Sequence, residues 1–392
     1  MGSKHIVLWG GWYGSHNIGD QALLLTIVDI LAKAVGEVRF TVLTDNPEHV
    51  NRYGREESCY PIQALHNRKQ LLKVLQAIAT CDLLVFGGGT PFFDERKHIL
   101  AMILIVSAAR IGRTPYMTWT VSSQEVHSET AKKVFKWVLD SAQAITYRDQ
   151  HTLQLFQSCK VKSPMHLVGD PVFWLEPAGD ERVDEMIQRA GLRDPTRPLV
   201  ALTPRTLRSR DGDAETHYRP KTQAQFDLEI QCFTTAVDWL WEHGYQPMFI
   251  SMNTVAPDDD RIAAREIIQC ARHGKDALLV DEEIRPRLAP NFYRRCEFSF
   301  VARVHGSVTS AVGGCPVMMY AFAPKHAGIM ASMGLQTYTL SESAATPEST
   351  TAMLEDLRAN RVRVRDAMAQ RLDVLRQEAL IPAQLAAKIL KA

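Results

Sequence analysis

The chain has 392 residues, which is long for one hydrophobic core and predicts two domains. Its 46% hydrophobic and 23% charged residues are typical of a globular protein and exclude disordered and fibrous classes. A formal net charge of +1 provides no general attraction to nucleic acid, so we expect no nucleic-acid partner. The seven cysteines form no CxxC pair and no zinc-binding spacing, which favours a reducing, cytoplasmic compartment.

Two apolar segments bear on membranes, and neither predicts a span. The strand predicted from His5 begins directly, without the apolar core of a signal peptide. The most apolar window, Ile99–Ala109, is much shorter than the roughly 20 residues that a transmembrane helix needs. We therefore expect a cytoplasmic protein.

The first part of the chain alternates short apolar runs with helical periodicity, which is typical of parallel α/β sheets. Strands are predicted at His5–Trp9, Val38–Leu43, Cys59–Ile62, Asp82–Phe86, Tyr116–Val121 and Ala144–Tyr147. Helices are predicted from Asp20 to Ala34 and over Lys69–Ala79, Ile99–Ala109 and Thr130–Leu139. This alternation predicts a Rossmann-like domain over residues 1–176.

Two glycine-rich turns follow strands in this half. Gly10–Gly19 contains Asn17 and leads into Asp20, and Gly87–Gly89 is followed by Asp94. Such turns bring backbone amides close to an anion or a sugar. The alternative is a tight turn that serves packing, with Asp20 as an ordinary first-turn helix residue. The spacing is not GxGxxG, so it gives a dinucleotide site only weak support.

The polar segment Glu176–Pro198 is rich in proline and contains a helical stretch, Val183–Ala190, so we predict a hinge there. A second Rossmann-like domain is predicted over residues 195–365, with a charged loop at Ser209–Lys221. Its strands are predicted at Leu199–Leu202, Met248–Ile250, Ala277–Val280, Phe298–Val301 and Pro316–Ala321. Its helices are predicted at Gln225–His243, Asp260–Cys270 and Pro290–Cys296. Residues 366–392 are predicted to form a helical tail that is interrupted near Pro382.

Charged side chains follow two successive strands of the second domain. Arg303 and His305 come after Phe298–Val301, and Lys325 comes after Pro316–Ala321. Ligands of such sheets bind beyond the carboxyl ends of strands, where helix N-termini also favour anions. Each residue alone has a purely structural alternative, because a lone Arg or Lys is usually a solvated charge and a lone His is usually structural. Together, a fixed cation, an imidazole and an ammonium favour a site for a small anion that exchanges a proton.

Two further arginines occupy equivalent positions. Arg148 follows the strand that ends at Tyr147, and Arg205 follows the strand that ends near Thr203. Arg148 has an alternative as the ion-pair partner of the adjacent Asp149. The acidic run Asp258-Asp259-Asp260 at a helix start is typical of a solvated first turn, so no metal site is predicted.

The assembled motifs resemble the polysaccharide pyruvyl transferase family. Gly14–Asp20 is similar to the family's Gly-x-x-Asn-x-Gly-Asp opening, and the other matching motifs are Gly87-Gly88-Gly89 with Asp94, Tyr147-Arg148-Asp149, Thr203-Pro204-Arg205, and Arg303-Val304-His305 through Pro316 to Lys325. The chain departs from the family at Thr203-Pro204-Arg205, where a Ser-Leu-Arg-like end is usual. Residues 207–224 match no known pattern, so the acceptor stays open.

The resemblance implies an α/β fold of two Rossmann-like domains facing across a cleft, as in GT-B glycosyltransferases. It implies transfer of pyruvate from phosphoenolpyruvate to a sugar as a ketal, with release of phosphate. The first domain would serve the acceptor and the second the donor. The expected catalytic residues are His305, Arg148 and Lys325. The expected donor-binding residues are Arg205, Arg303, His305 and Lys325, and the expected acceptor-binding residues are Asn17, Asp20, Gly88, Gly89 and Asp94.

The expected partners follow from this chemistry. Phosphoenolpyruvate is a co-substrate, and no cofactor or metal is expected. The acceptor is a glycan or a lipid-linked or nucleotide-linked sugar, and a lipid-linked one would bring the protein to the inner face of the membrane. Homo-oligomerisation stays open. The alternatives are a nucleotide-sugar glycosyltransferase or epimerase of the same fold, and a non-catalytic sugar-phosphate binding protein.

Overall fold

The computed structural model describes residues 3–44, 46–53, 58–60, 68–205, 222–256 and 258–391. The chain divides into two compact units. The first unit comprises Met1–His16, Asp20–Trp174 and Leu375–Ala392, and the second comprises Asn17–Gly19 and Leu175–Val374. The predicted loop Ser209–Lys221 lies outside the described residues.

The first unit is built on a parallel sheet of five strands in the order β3-β2-β1-β4-β5. These strands are β1 (Lys4–Trp9), β2 (Val38–Leu43), β3 (Ser58–Tyr60), β4 (Leu83–Gly87) and β5 (Tyr116–Trp119). A short parallel pair continues beside β5 through bridges from Met117 to Ala144 and from Val121 to Tyr147. Its strands are β6 (Ile145–Tyr147) and β7 (Met165–Leu167).

Helices cover both faces of this sheet. They are α1 (Ile18–Val35), α2 (Pro47–Tyr53), α3 (Arg68–Thr80), α4 (Arg96–Gly112), α5 (Glu129–Asp140) and α6 (Gln150–Ser158). Alternate residues of β1 enter two separate cores, because successive strand side chains point to opposite faces. Val7 and Trp9 pack with α3, α4 and α5, whereas Ile6 and Leu8 pack with α1. Burial on both faces explains why these strands are continuous apolar runs.

The second unit contains a parallel sheet of six strands in the order β10-β9-β8-β11-β12-β13. These strands are β8 (Leu199–Thr203), β9 (Gln246–Ile250), β10 (Leu278–Val280), β11 (Cys296–Val301), β12 (Val317–Ala321) and β13 (Thr339–Ser341). The helices are α7 (Glu181–Arg189), α8 (Gln223–Glu242), α9 (Asp260–Cys270), α10 (Ala289–Arg294), α11 (Val304–Val312) and α12 (Pro324–Ser332). Both sheets share one doubly wound strand order, so the prediction of two Rossmann-like domains is confirmed.

One helix, α13 (Pro347–Ile389), ends the chain. The predicted interruption near Pro382 is wrong, because the helix continues past this proline. A proline inside a helix costs about 3 kcal/mol through its missing donor and its ring. Burial offsets this cost, since Ala383 and Ala386 lie in the core of the first unit. Residues from Leu375 onward belong to that unit.

The segment predicted as a hinge, Glu176–Pro198, belongs to the second unit. The backbone N–H of Ala178 donates to the carbonyl of Arg287 at 2.8 Å. The guanidinium of Arg295 grips the Asp184 carboxylate of α7 with N–O distances of 2.7 and 2.9 Å. Its polarity therefore reflects an exposed helix attached to this unit. Among the described residues, no helix is long and apolar enough to cross a bilayer.

Candidate active site

Three strands of the second unit end side by side. Val301 of β11 lies opposite Thr203 of β8 and Met319 of β12 in the parallel register. The residues that follow these strands therefore reach one edge of the sheet: Arg205, Arg303, His305 and Lys325. This edge includes the boundary between β8 and β11, where the winding direction reverses and doubly wound folds bind ligands. The predicted grouping at strand ends is thus present.

Arg303 is buried and bound by two carboxylates of the preceding acidic run. Its Nε donates to both carboxylate oxygens of Asp260 at 3.0 and 3.2 Å. Its Nη1 donates to Asp258 Oδ2 at 2.8 Å, and its Nη2 donates to the Asp258 carbonyl at 3.0 Å. The guanidinium fork that the sequence assigned to the donor is thus engaged by acidic groups of the protein.

Asp260 is fully buried, so the expectation that the acidic run forms a solvated first turn is wrong for this residue. Its Oδ2 accepts the backbone N–H groups of Met252 and Asn253 at 3.0 and 3.1 Å. Only Asp259 acts as expected, because its side chain caps α9. The carboxylate of Asp260 instead ties the end of β9 to Arg303.

The two carboxylates differ in acidity. Burial raises the pKa of Asp260 to about 6, against the opposing charge of Arg303. Burial also acts to raise the pKa of Asp258, but Arg303 and Arg205 outweigh it and hold that pKa below its usual value. The cluster therefore keeps a negative charge at Asp258 beside both arginines.

Arg205 joins this cluster from the end of β8. Its Nε lies 3.5 Å from Asp258 Oδ1, and its guanidinium carbon lies 5.2 Å from the ring centre of Phe322. Its backbone N–H donates to Glu229 Oε1 at 2.7 Å. Sequence reasoning missed Glu229 and Phe322 as neighbours. It interpreted the acidic run as a solvated first helical turn, although the arginines predicted at neighbouring strand ends called for acidic partners.

His305 is the second residue of α11 and is partly buried. The hydroxyl of Thr309, one turn later, donates to its carbonyl at 2.6 Å. The backbone of Gly19 packs directly on its ring, because a Cβ at Gly19 would lie 2.2 Å from Nδ1. Only glycine fits there without moving the imidazole. The opening glycine-rich motif thus packs against one side of the His305 imidazole and helps to fix its position.

The segment Asn17–Gly19 belongs to the second unit although it lies early in the sequence. The N–H of Ile18 donates to the Met252 carbonyl at 2.8 Å, and Asn17 forms an antiparallel bridge with Asn253. The side-chain oxygen of Asn17 accepts the N–H of Gly19 at 2.8 Å. Asn17, predicted to bind the acceptor, therefore shapes the turn that places Gly19 on His305.

Lys325 and Arg148 have different settings. Lys325 is the second residue of α12 and is partly buried. Arg148 belongs to the first unit, where Nη1 forms a buried ion pair with Asp170 and Nε donates to Ser122 Oγ at 3.3 Å. The neighbouring Asp149 caps α6 instead. The alternative that Arg148 pairs with Asp149 is therefore wrong, and its acid partner is Asp170.

The two glycine-rich turns of the first unit pack on each other. Gly10, Gly87 and Gly88 have φ angles of +98°, +135° and +79°, which favour glycine. A Cβ at Gly88 would lie 2.5 Å from Ile27 Cδ1 and 2.8 Å from the hydroxyl of Tyr13. That hydroxyl donates to the carbonyl of Gly87. These contacts give both turns a packing role.

The other predicted acceptor residues also have local partners. Asp20 accepts a hydrogen bond from Ser15 Oγ at 3.2 Å. The carbonyl of Gly89 accepts the N–H of Ser122 at 2.8 Å. Asp94 accepts the N–H groups of Ser128 and His127 at 2.7 and 3.1 Å, beside the start of α5. Their role toward an acceptor stays a prediction.

A model of the polysaccharide pyruvyl transferase family matches residues 17–323. The chain belongs to this family. The match covers the Asn17–Gly19 turn, both arginines of the acidic cluster, and His305. It ends at Ala323, just before α12, so Lys325 lies outside it. No curated protein matches the chain.

Solved structures of the GT-B fold resemble this family member. Anabaena HepE in complex with UDP-glucose is 11% identical, with a TM-score of 0.61 over 99% of this chain and 98% of that chain. A UGT transferase from Siraitia grosvenorii in complex with UDP is 12% identical, with a TM-score of 0.58 over 100% of both chains. A trehalose 6-phosphate synthase from Burkholderia multivorans is 12% identical, with a TM-score of 0.56 over 100% and 98%. These likenesses establish the fold.

Proposed function

We propose that this family member transfers the pyruvyl group of phosphoenolpyruvate to two hydroxyls of a sugar, forming a ketal and releasing phosphate. The observation that carries the proposal is the placement of His305. Its imidazole lies at the start of α11, against the Gly19 backbone, on an edge that also presents Arg205 and Lys325. An acid–base group thus stands among fixed cations.

The donor carries a carboxylate and a phosphate, so its site needs several positive groups. We assign Arg205 and Lys325 to these anions, together with the N-terminus of α11. Arg303 adds positive charge, but its bonds to Asp258 and Asp260 make it chiefly the anchor of this helix start. The buried acids hold Arg303 in one orientation, and they also limit the net charge of the edge.

The reaction needs one proton at carbon and one leaving phosphate. A sugar hydroxyl attacks C2 of phosphoenolpyruvate while His305 delivers a proton to the C3 methylene, which becomes a methyl group. Phosphate leaves from C2 as inorganic phosphate, and a second sugar hydroxyl adds to the same carbon. The hydroxyl protons restore the imidazolium and leave with phosphate. Histidine is the side chain that most often carries out such proton transfers.

The acceptor is a glycan or a lipid-linked or nucleotide-linked sugar. Asp20, Gly88, Gly89 and Asp94 stay the candidates for binding it, and Asn17 reaches the site through its effect on Gly19. Arg148 stays a candidate catalytic residue. For this role, either the buried ion pair of Arg148 with Asp170 would have to loosen, or the paired Arg148 would have to place its positive charge near the acceptor.

The proposal is tested by measuring phosphate release from phosphoenolpyruvate with a panel of glycan acceptors. In deuterated water the product methyl group should carry one deuterium, because the added proton comes from an exchangeable group. UDP-glucose is the matched alternative donor, since HepE is described with that ligand. Release of UDP from UDP-glucose, without any use of phosphoenolpyruvate, would favour a nucleotide-sugar transferase and contradict the proposal.

A further inference from the structure

Helix α4 is apolar on both of its faces. Met102, Ile105 and Val106 are buried in the first unit's core. On the opposite side, Leu100, Leu104 and Ile111 are 52%, 42% and 84% exposed. A helix on the surface of a soluble protein normally turns polar side chains outward, so this outward stripe has no role in the fold.

The three exposed apolar residues of α4 lie along one face of the helix. At about 100° per residue, Leu100, Leu104 and Ile111 lie within roughly 40° of one another and span about 16 Å of helix. Leu72 of the neighbouring helix α3 is 66% exposed and lies opposite its buried residues Val74 and Ile78. The two helices touch closely, since a Cβ at Gly112 would lie 2.2 Å from the carbonyl oxygen of Ala79.

The charges carried by helices α3 and α4 have one sign. Helices α3 and α4 together with Arg113 contain seven Lys and Arg residues and no Asp or Glu. Those whose side chains are described and exposed are Lys73, Arg96, Lys97, Arg110 and Arg113. On α4 the cations stand at the two ends and the apolar residues between them. The nearest acid in the sequence, Glu95, precedes the helix.

We propose that this surface, the α3/α4 face, binds an anionic lipid bilayer. The apolar stripe would enter the boundary between headgroups and acyl chains, and the flanking cations would contact the headgroups. The segment is too short to cross a bilayer, and a helix lying in the membrane plane needs no such length. Binding through this face depends on neither phosphoenolpyruvate nor an acceptor, so it stands apart from the proposed function.

A second copy of the chain is the competing occupant. A symmetric dimer through this face would bring the same cations against each other without acidic partners on these helices, which is unfavourable. An anionic bilayer complements both features of the face at once.

Sedimentation of the full chain with vesicles tests this inference without either substrate. Vesicles of phosphatidylcholine with phosphatidylglycerol should bind the protein, and vesicles of phosphatidylcholine alone should bind it at least about tenfold more weakly. The triple variant Leu100→Gln, Leu104→Gln, Ile111→Gln should lose about tenfold or more of the binding. The variant Arg96→Gln, Lys97→Gln should lose roughly fivefold per charge and become less sensitive to salt.

The matched control replaces exposed apolar residues elsewhere. Leu167 and Val362 are 55% and 60% exposed, so Leu167→Gln, Val362→Gln should bind vesicles like the wild type. Thermal melting checks that each variant folds, and Ile111→Gln alone serves if the triple variant does not. Equal binding by wild type and the folded α4 variants would overturn the inference. So would a wild-type dimer that the triple variant abolishes, because a second copy would then cover the face.

Discussion

The first five strands of the second sheet follow the same order as the five strands of the first, but the two sheets present different chemistry where the winding reverses. Where the winding reverses in the first unit, between β1 and β4, glycines meet and Tyr13 bonds to their backbone. Where it reverses in the second unit, between β8 and β11, two arginines share two acids beside His305. The first edge presents tightly packed glycine backbone, whereas the second presents charged side chains and a titratable imidazole.

The comparison teaches that topology gives the location of a site and local residues give its chemistry. The residues of the glycine-rich opening motif are divided between the two units. Its first part packs in the β1–β4 turn, whereas Asn17–Gly19 packs with the second unit against His305. A motif that looks like one ligand-binding loop therefore has two structural roles, one in the turn of the first unit and one beside His305 in the second.

Removing the imidazole gives the largest expected effect. His305→Ala should lower kcat about a hundred- to ten-thousand-fold, because general acid–base catalysis is lost. Phosphoenolpyruvate affinity should change little, and phosphate release measures the turnover. His127→Ala, at an exposed histidine of the first unit, is the control. Near wild-type turnover by the His305 variant would exclude this residue as the proton donor.

Removing one acid tests whether the cluster of Arg303, Asp258 and Asp260 stabilises the fold. Asp260→Asn should destabilise the fold by about 3 kcal/mol or more, because Arg303 stays buried without its closest counter-charge. Chemical denaturation of wild type and variant measures the difference. Asp281→Asn breaks exposed ion pairs with Arg261 and Arg265 and should cost under about 1 kcal/mol. Equal losses in the two variants would show that the cluster is not a special anchor.

A methyl group at Gly19 tests the contact between the opening motif and His305. Gly19→Ala should displace the His305 ring and lower kcat by roughly tenfold, within the usual cost of misplacing a catalytic group. Gly179→Ala is the matched control, because a Cβ there meets nothing within 4 Å. A merely structural effect would persist in a His305→Ala background. We expect Gly19→Ala to have no further effect on kcat in that background, because Gly19 acts on turnover only through the His305 imidazole.

A methyl group in the glycine-rich turn of the first unit should lower stability without changing phosphoenolpyruvate affinity. Gly88→Ala should cost about 1–3 kcal/mol, because φ is positive and the Cβ would press on Ile27 and Tyr13. Thermal unfolding measures the loss, and calorimetry should show unchanged phosphoenolpyruvate affinity. A large loss of donor affinity in the folded variant would mean that the comparison between the edges is wrong.

Much of the fold was predictable because buried parallel strands are continuous apolar runs. The segments β2 and α9 match their predicted bounds. The last strand, β13, was missed because its three residues carry no apolar run, and its pairing with β12 decides its structure. Pro382 was misjudged because burial of the helix around it depends on distant residues of the first unit.

The candidate site was predictable in its strand-end positions and not in its contacts. Arg205, Arg303 and Lys325 were found from their place after apolar runs. That Asp260 is buried against Arg303 depends on the neighbouring ends of β9 and α9, which are distant in sequence from β11. The contact between Gly19 and His305 joins residues far apart in the chain, and no local pattern indicates it.

The most direct test of the charged edge is calorimetric titration of phosphoenolpyruvate into the wild type, Arg205→Met and Arg148→Met. Each variant removes one buried guanidinium, from the second unit and the first unit respectively. We predict that Arg205→Met weakens binding by about tenfold to a hundredfold, as expected for lost bonds to a charged ligand. Arg148→Met should bind within about threefold of the wild type. Retained affinity in a folded Arg205→Met variant, with loss in Arg148→Met, would contradict the assignment of the donor to the second unit.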